Sequence, residues 1–358
     1  MDPVDAGEPT LRGMFVGTTS HLHGAGRAYG LLERPLRERG ILFELVTMRR
    51  LRDMVGTLGR WVFGGGARRP DFVLFNALGS MMSPAAEALA RLASAAHVPI
   101  VVYWREGAMS FAKYHALGEA SVRRAERIAR LPGVVPFANS TACAAFIAGH
   151  FPGSRPVVVG NAADPGIDPA QDSVPPTEPP TVVNVGSIQP RKGTDLFVET
   201  ALLACRRHPT VEFLWIGPGR PNSEWTEAIA RAGFTSRIRF VGAMDRPALL
   251  VRNASAFFCS SREETFSQAT AEAMALGVHV VTFDSGGPPE VLGGTGTVVA
   301  DFDCERAATE LERLVRFPPE RRRNEAAARR YAEEFTPERH ADRLAAHLRR
   351  VVATKAGN

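Results

Sequence analysis

Residues 260–283 read SSREETFSQATAEAMALGVHVVTF and follow the apolar run Ala256 to Cys259. Two carboxylates, Glu264 and Glu272, stand eight positions apart in this stretch. A helix starting near Ser267, capped by Thr265 or Ser267, leaves Glu264 in the preceding loop and carries Glu272 in its early turns. The two carboxylates then meet one ligand at different points. Vicinal hydroxyls of ribose or of a sugar ring are natural donors to such groups, and the free amides of a helix start attract phosphate. Solvation of a surface loop is the alternative for Glu263 and Glu264. For Glu272 the surrounding ATAEAMALG favours a ligand, because an unpartnered carboxylate among apolar residues costs on the order of several kcal/mol.

A second stretch, TVVNVGSIQPRKGTDLFVETALLA from residue 181, reads strand, glycine turn, helix. It delivers Arg191 and Lys192 to the helix entry beside Gly193. Two fixed cations there suit a departing diphosphate, whose negative charge grows as its bond to a sugar breaks. A solvated basic turn is the alternative reading for PRKG on its own.

These positions need elements to hold them. Short apolar or β-branched runs alternate with helical patterns along the chain: MFVGT, FELVT, DFVLF, PIVVYW and VVPFA, then TVVNVG, VEFLWIG, IRFVG, AFFC, HVVTF and TVVA. Such alternation predicts parallel sheets with helices on both faces. Ligands of open parallel sheets sit beyond the carboxyl ends of strands, where most of these motifs fall. At 358 residues two domains are expected. The stretch DPGIDPAQDSVPPTEPPT is proline-rich and without apolar periodicity. The expected organisation is a first domain over 1–165, a linker over 166–180, a second domain over 181–335, and a terminal helix over 336–358 that packs back toward the first domain.

Composition narrows the class. Hydrophobic residues make up 45% and charged residues 23%, with no apolar run long enough to span a membrane. The start, MDPVDAGEPT, lacks the basic and apolar regions of a secretory signal, which leads to the expectation of a cytoplasmic protein. Cys143, Cys205, Cys259 and Cys304 lie far apart and give no metal-ligand spacing. The net charge of +5 suits anionic partners, but no nucleic-acid-binding signature is present.

The order and separation of the two motifs resemble glycosyltransferase family 4, the retaining GT-B group within glycosyl transferases group 1. The likeness runs from about residue 181 to 303. The resemblance implies an α/β protein of GT-B architecture, with two doubly wound Rossmann-like domains facing a central cleft. It implies a retaining, metal-independent transfer of a hexosyl group from a UDP- or GDP-linked sugar to a hydroxyl of a saccharide, glycolipid or secondary-metabolite acceptor. No cofactor is implied beyond the nucleotide sugar itself. Alternatives on the same fold are a noncatalytic nucleotide-sugar binder and a nucleotide-sugar epimerase. Carried over to this sequence, the turn from Gly186 to Gly193 makes Lys192 the diphosphate-binding lysine, shared by Arg191. Ser187 stands where the family often has arginine. Glu264 matches the glutamate that holds donor sugar hydroxyls, and Glu272 the one that holds ribose. Thr265, Phe266 and Ser267 replace a glycine, phenylalanine, glycine run that leads to Gln268 at the helix start. The later Gly286, Gly287 and Glu290 match a recurrent structural turn, and Asn161 and Asp164 in VVVGNAADP shape turns.

In the amino-terminal half, Gly24, Gly26 and Gly30 form a GxGxxxG pattern, but about seven residues separate it from the strand MFVG, which argues against a dinucleotide loop. The resemblance makes His23, Gly24, Ala25, Gly26 and Arg27 a cleft loop near donor phosphates or acceptor; a plain helix start is the alternative. Trp104, Arg105 and Glu106 end a buried strand, with Glu106 a candidate for the acceptor hydroxyl and a local Arg105–Glu106 ion pair the alternative. The stretches RRLRDMVGTLGRWVFGGGARR and ASVRRAERIARL combine arginine with apolar residues. Peripheral contact with the inner face of a membrane is one reading and a core-facing helix with a solvated basic face the other.

Overall fold

Strands buried on both faces must be apolar at consecutive positions, and the runs that read so in the sequence are strands in the computed structural model, which describes residues 9–17, 24–47, 69–167, 179–316 and 321–356. The chain divides into two compact units, residues 1–162 with 337–358, and residues 163–336.

In the first unit β1 (Leu11–Gly17), β2 (Ile41–Thr47), β3 (Phe72–Asn76), β4 (Ile100–Trp104), β5 (Val134–Ala138) and β6 (Val157–Val158) form one parallel sheet in the order β2-β1-β3-β4-β5-β6. Successive residues feed opposite cores. Met14, Val16, Val73 and Phe75 pack in one apolar cluster, and Phe15, Phe72 and Leu74 in another. The helix Pro84–Ala95 is started by Ser83, whose side chain accepts from the Ala86 amide, and has proline in its first turn. Ser140 caps Thr141–His150 in the same way through the Cys143 amide. The helix Pro337–Ala356 belongs to this unit and lays Ala341, Leu344, Ala345 and Leu348 against the same cluster as Leu32 and Leu36.

The second unit holds β7 (Thr181–Val185), β8 (Glu212–Ile216), β9 (Ile238–Gly242), β10 (Ala256–Cys259), β11 (Val280–Phe283) and β12 (Thr297–Val299), again all parallel, in the order β12-β11-β10-β7-β8-β9. Period-two alternation fills both faces here too: Val182, Phe213, Trp215 and Phe258 on one, Val183, Leu214, Ile216 and Phe257 on the other. Every run read as a strand lies in one of these elements, and the two-residue β6 is the addition. Most of the proline-rich stretch, residues 168–178, is outside the described residues.

Candidate functional site

In the second unit β7 and β10 are neighbours, but the chain leaves them in opposite directions along the sheet, from β7 to β8 on one side and from β10 to β11 on the other. Such a reversal opens a crevice at the carboxyl ends of the two strands. The turn 186–193 follows β7 and the loop 260–267 follows β10, so topology alone brings the two motifs together.

Backbone bonds then fix one to the other. Pro190–Lys192 forms a single turn of 3-10 helix, and Gly193 ends it at φ +63 before the helix Thr194–Arg207. A Cβ on Gly193 would lie 2.0 Å from the Ser260 carbonyl oxygen, so glycine is required both by the dihedral and by the loop beside it. The Arg262 amide donates to the Arg191 carbonyl at 2.8 Å, the Ser260 hydroxyl to the Lys192 carbonyl at 3.1 Å, and Asn184 Nδ2 to Ser260 Oγ at 3.0 Å. Arg262 also forks onto Asp195, with Nη1 2.6 Å from Oδ1, and this hydrogen bonding holds the Asp195 carboxyl below its usual range.

The side chains converge on Glu264. Arg191 Nη1 donates to Glu264 Oε1 at 3.0 Å and to the Glu263 carbonyl at 2.7 Å, and Lys192 Nζ donates to the same Oε1. Burial works to raise the Glu264 carboxyl, but Lys192 and then Arg191 outweigh it, and the group is held below its ordinary value of 4.5. The two cations keep 24% and 19% of their side chains exposed while the glutamate keeps 9%, so the positive groups are the reachable face of the cluster. Glu264 itself is pinned through its backbone: its amide donates to the Ser285 carbonyl at 2.9 Å, and its carbonyl accepts from the Gly287 amide at 2.7 Å.

Beyond Glu264 the chain turns into the helix Gln268–Ala275. Ser267 is the cap, its Oγ accepting from the Thr270 amide at 3.3 Å, in a left-handed conformation of φ 72 that glycine would adopt without cost. Phe266 is buried and meets Phe335 edge to face at 5.5 Å. Thr265 presses its carbonyl toward Gly287, where a Cβ would come within 2.2 Å. Glu272 lies on the helix and is 7% exposed. In the facing turn, Gly186 accepts from Trp215 Nε1 at 2.7 Å, and Ser187 Oγ accepts from Gln189 Nε2 at 2.7 Å.

The first unit holds the other named residues. His23 and residues 49–68 of the arginine-rich stretch are outside the described residues, and Gly24, Ala25 and Gly26 open the helix Gly24–Glu38. Arg105 and Glu106 follow β4. The Arg105 guanidinium donates from Nε to Asn76 at 2.9 Å and from Nη1 to Asn161 at 2.7 Å, with Cζ 4.1 Å from the centre of the Tyr103 ring. Glu106 is 4% exposed, and its two oxygens accept from the Leu78 and Arg105 amides at 2.8 and 2.9 Å. Burial raises its carboxyl despite these bonds. The second basic stretch lies in the helix Glu119–Ala129 and just after it, with Val122, Ala125 and Ile128 buried. Its arginines each meet a carboxylate: Arg123 on Glu119, Arg124 and Arg127 on Glu87, Arg130 on Glu126. Asp164 accepts from the Gly166 amide at 2.8 Å, a side-chain turn.

Asn184, Ser260 and the Arg262–Asp195 pair join the two loops and were not singled out in the sequence. Only their place at strand ends and helix entries signals them. Among the described residues no helix is long and apolar enough to cross a membrane, and no group of three or more His, Cys, Asp or Glu is placed to hold a metal ion.

Comparison with known proteins places these loops within a recognised domain. Residues 179–316 match the family described as glycosyl transferases group 1. The chain is 33% identical over 184 residues to a D-inositol 3-phosphate glycosyltransferase of Jonesia denitrificans, covering 48% of this chain and 43% of that protein. It is 37% identical over 129 residues to the lipopolysaccharide core biosynthesis mannosyltransferase LpsB of Rhizobium meliloti, covering 34% and 37%. The chain thus spans about two fifths of the length of these curated relatives. Among solved structures, Anabaena Alr3699/HepE in complex with UDP superposes with a TM-score of 0.72 at 17% identity, over 95% of this chain and 100% of that one. The fold is GT-B, as the motifs led one to expect.

Proposed function

We propose that this chain is a retaining, metal-independent glycosyltransferase that moves a hexosyl group from a UDP- or GDP-linked sugar to a hydroxyl of a saccharide, glycolipid or secondary-metabolite acceptor. The observation that carries the proposal is the convergence of Arg191 and Lys192 with Glu264 where the loops of β7 and β10 meet. The names of the relatives and of the UDP-bound neighbour support the reaction class and the donor class. Retention rests on the motif resemblance.

In this reading Arg191 and Lys192 take the charge that gathers on the diphosphate, a task that fixed cations perform without a metal. Glu264 accepts from hydroxyls of the transferred sugar and Glu272 from the ribose. The amides of Ser267 and Gln268, with the loops of Thr265, Phe266, Gly186 and Ser187, line the phosphates. The bond from the anomeric carbon to the phosphate oxygen breaks with its electron pair going to the diphosphate. The acceptor oxygen forms the new bond on the same face, and its proton passes to the departing diphosphate. Arg105 and Glu106, the latter through the backbone it holds, and residues 24–26 at the start of the helix Gly24–Glu38 belong to the acceptor side.

The test is incubation with UDP- and GDP-sugars and candidate acceptors in the presence of a chelator, reading nucleoside diphosphate release. Wild-type protein releases it, and Lys192→Ala and Glu264→Ala lose about a hundredfold or more in rate with unchanged circular dichroism. Unchanged turnover in both variants refutes the assignment. Donor binding without any release makes the protein a nucleotide-sugar binder.

A further inference from the structure

Lys192 and Arg191 direct hydrogen bonds at one and the same oxygen, Glu264 Oε1. Two cations and one carboxylate leave the cluster a single net positive charge, and the carboxylate is its least exposed member. Any diphosphate drawn to these donors must contend with Glu264 for them, because two anions sharing one pair of cations repel each other at short range. The backbone of Glu264 cannot withdraw: its amide and carbonyl are bonded to Ser285 and Gly287, and Gly287 has no room even for a Cβ against Thr265. The side chain alone can turn.

From this geometry we infer that the Lys192–Glu264 contact is an exchangeable ion pair that selects the intact nucleotide sugar over the free nucleoside diphosphate. The inference rests on the donor reading above and deepens it. A nucleotide sugar brings phosphates for Lys192 and Arg191 together with hydroxyls that can donate to the displaced carboxylate, so both sides of the broken pair are satisfied again. A nucleoside diphosphate brings only the phosphates and leaves Glu264 either unpaired in a buried position or repelling the ligand. After transfer the hydroxyls depart with the product, Glu264 returns to Lys192, and the diphosphate loses its hold. The pair thereby aids product release.

Calorimetric titration with UDP and GDP, and with UDP-glucose and GDP-mannose in the absence of acceptor, tests this in wild type, Glu264→Gln, Lys192→Met and the double variant. Glutamine keeps the shape and removes the competing charge. The expected result is that the better-bound free diphosphate tightens about fivefold or more in Glu264→Gln while its nucleotide sugar does not, so the preference for the sugar shrinks. In the Lys192→Met background, where only Arg191 still shares Glu264 Oε1, the same change gives a clearly smaller gain in diphosphate affinity, whereas simple repulsion at a distance would preserve the gain in full. Should Glu264→Gln not fold, Glu264→Asp, one methylene too short for the pair, is expected to show the same direction. An unchanged preference, or an equal gain without Lys192, overturns the exchange and leaves the donor reading standing. Failure of wild type and every variant to bind any of the four ligands overturns both.

Discussion

Gly193 is the joint on which the site turns, and replacing it with alanine separates two effects that the structure allows to be measured apart. At φ +63 an alanine carries the left-handed penalty of about 1 kcal/mol. Its Cβ would also lie 2.0 Å from the Ser260 carbonyl oxygen, a backbone atom that moves only with the loop 260–264. Forcing that loop aside adds about 2 kcal/mol, in the range of overpacked cores. Gly233 is the internal reference: φ is +77 and nothing lies within 4 Å of a Cβ there. With about 2–4 °C lost per kcal/mol in a unit of this size, Gly193→Ala is expected to lower the melting temperature by about 6–12 °C and Gly233→Ala by about 2–4 °C. Differential scanning calorimetry reads both, and donor turnover should fall only in the first, because moving Ser260 carries Glu264 away from Lys192. Equal melting temperatures for the two variants would refute the claim that the turn and the loop are locked by close approach.

Two further expectations concern pH. Glu264 is held below 4.5, so the stability it contributes is fully present above that pH and is lost as acid protonates it in the folded chain. Lys192→Met removes the main cationic partner, and the melting-temperature gap to wild type should be open at pH 7 and narrow progressively as the pH falls below 4.5. Glu106 is raised by burial, which gives the opposite sign: ionising it in the folded chain is unfavourable, and stability declines as pH climbs from 4.5 through the folded value. Glu106→Gln is spared that decline, by about 1.4 kcal/mol per unit of separation between folded and unfolded values, so its melting temperature should rise relative to wild type between pH 4 and 7.

Much of the fold was legible because strands buried on both faces leave apolar runs, as β3, β4, β10 and β11 do, whereas β9, with Arg239 and Val241 exposed, was legible only as a short β-branched and aromatic run between helical patterns. The two-residue β6 is too short to leave a pattern. The two candidate loops were legible as such because Glu272 stands in an apolar helix and PRKG follows a strand. What no spacing reveals is sheet order: the adjacency of β7 and β10, which joins residues some 70 positions apart, follows from tertiary pairing alone. Glu106 shows the limit from the other side. A carboxylate at a strand end suggests chemistry, yet two backbone amides need acceptors there, and a carboxylate with two oxygens satisfies both. Arg105, read beside Glu106 as half of an ion pair, also donates to the neutral oxygens of Asn76 and Asn161, which no spacing reveals.

Binding of a diphosphate by Arg191 and Lys192 is tested by comparing nucleoside diphosphate with nucleoside monophosphate, by calorimetry, in wild type and in the Arg191→Ala, Lys192→Ala double variant. Wild type should prefer the diphosphate by about a hundredfold, as expected for two charge-assisted hydrogen bonds, and the double variant should lose this preference while still binding the monophosphate. A preference that survives the loss of both cations would contradict this assignment.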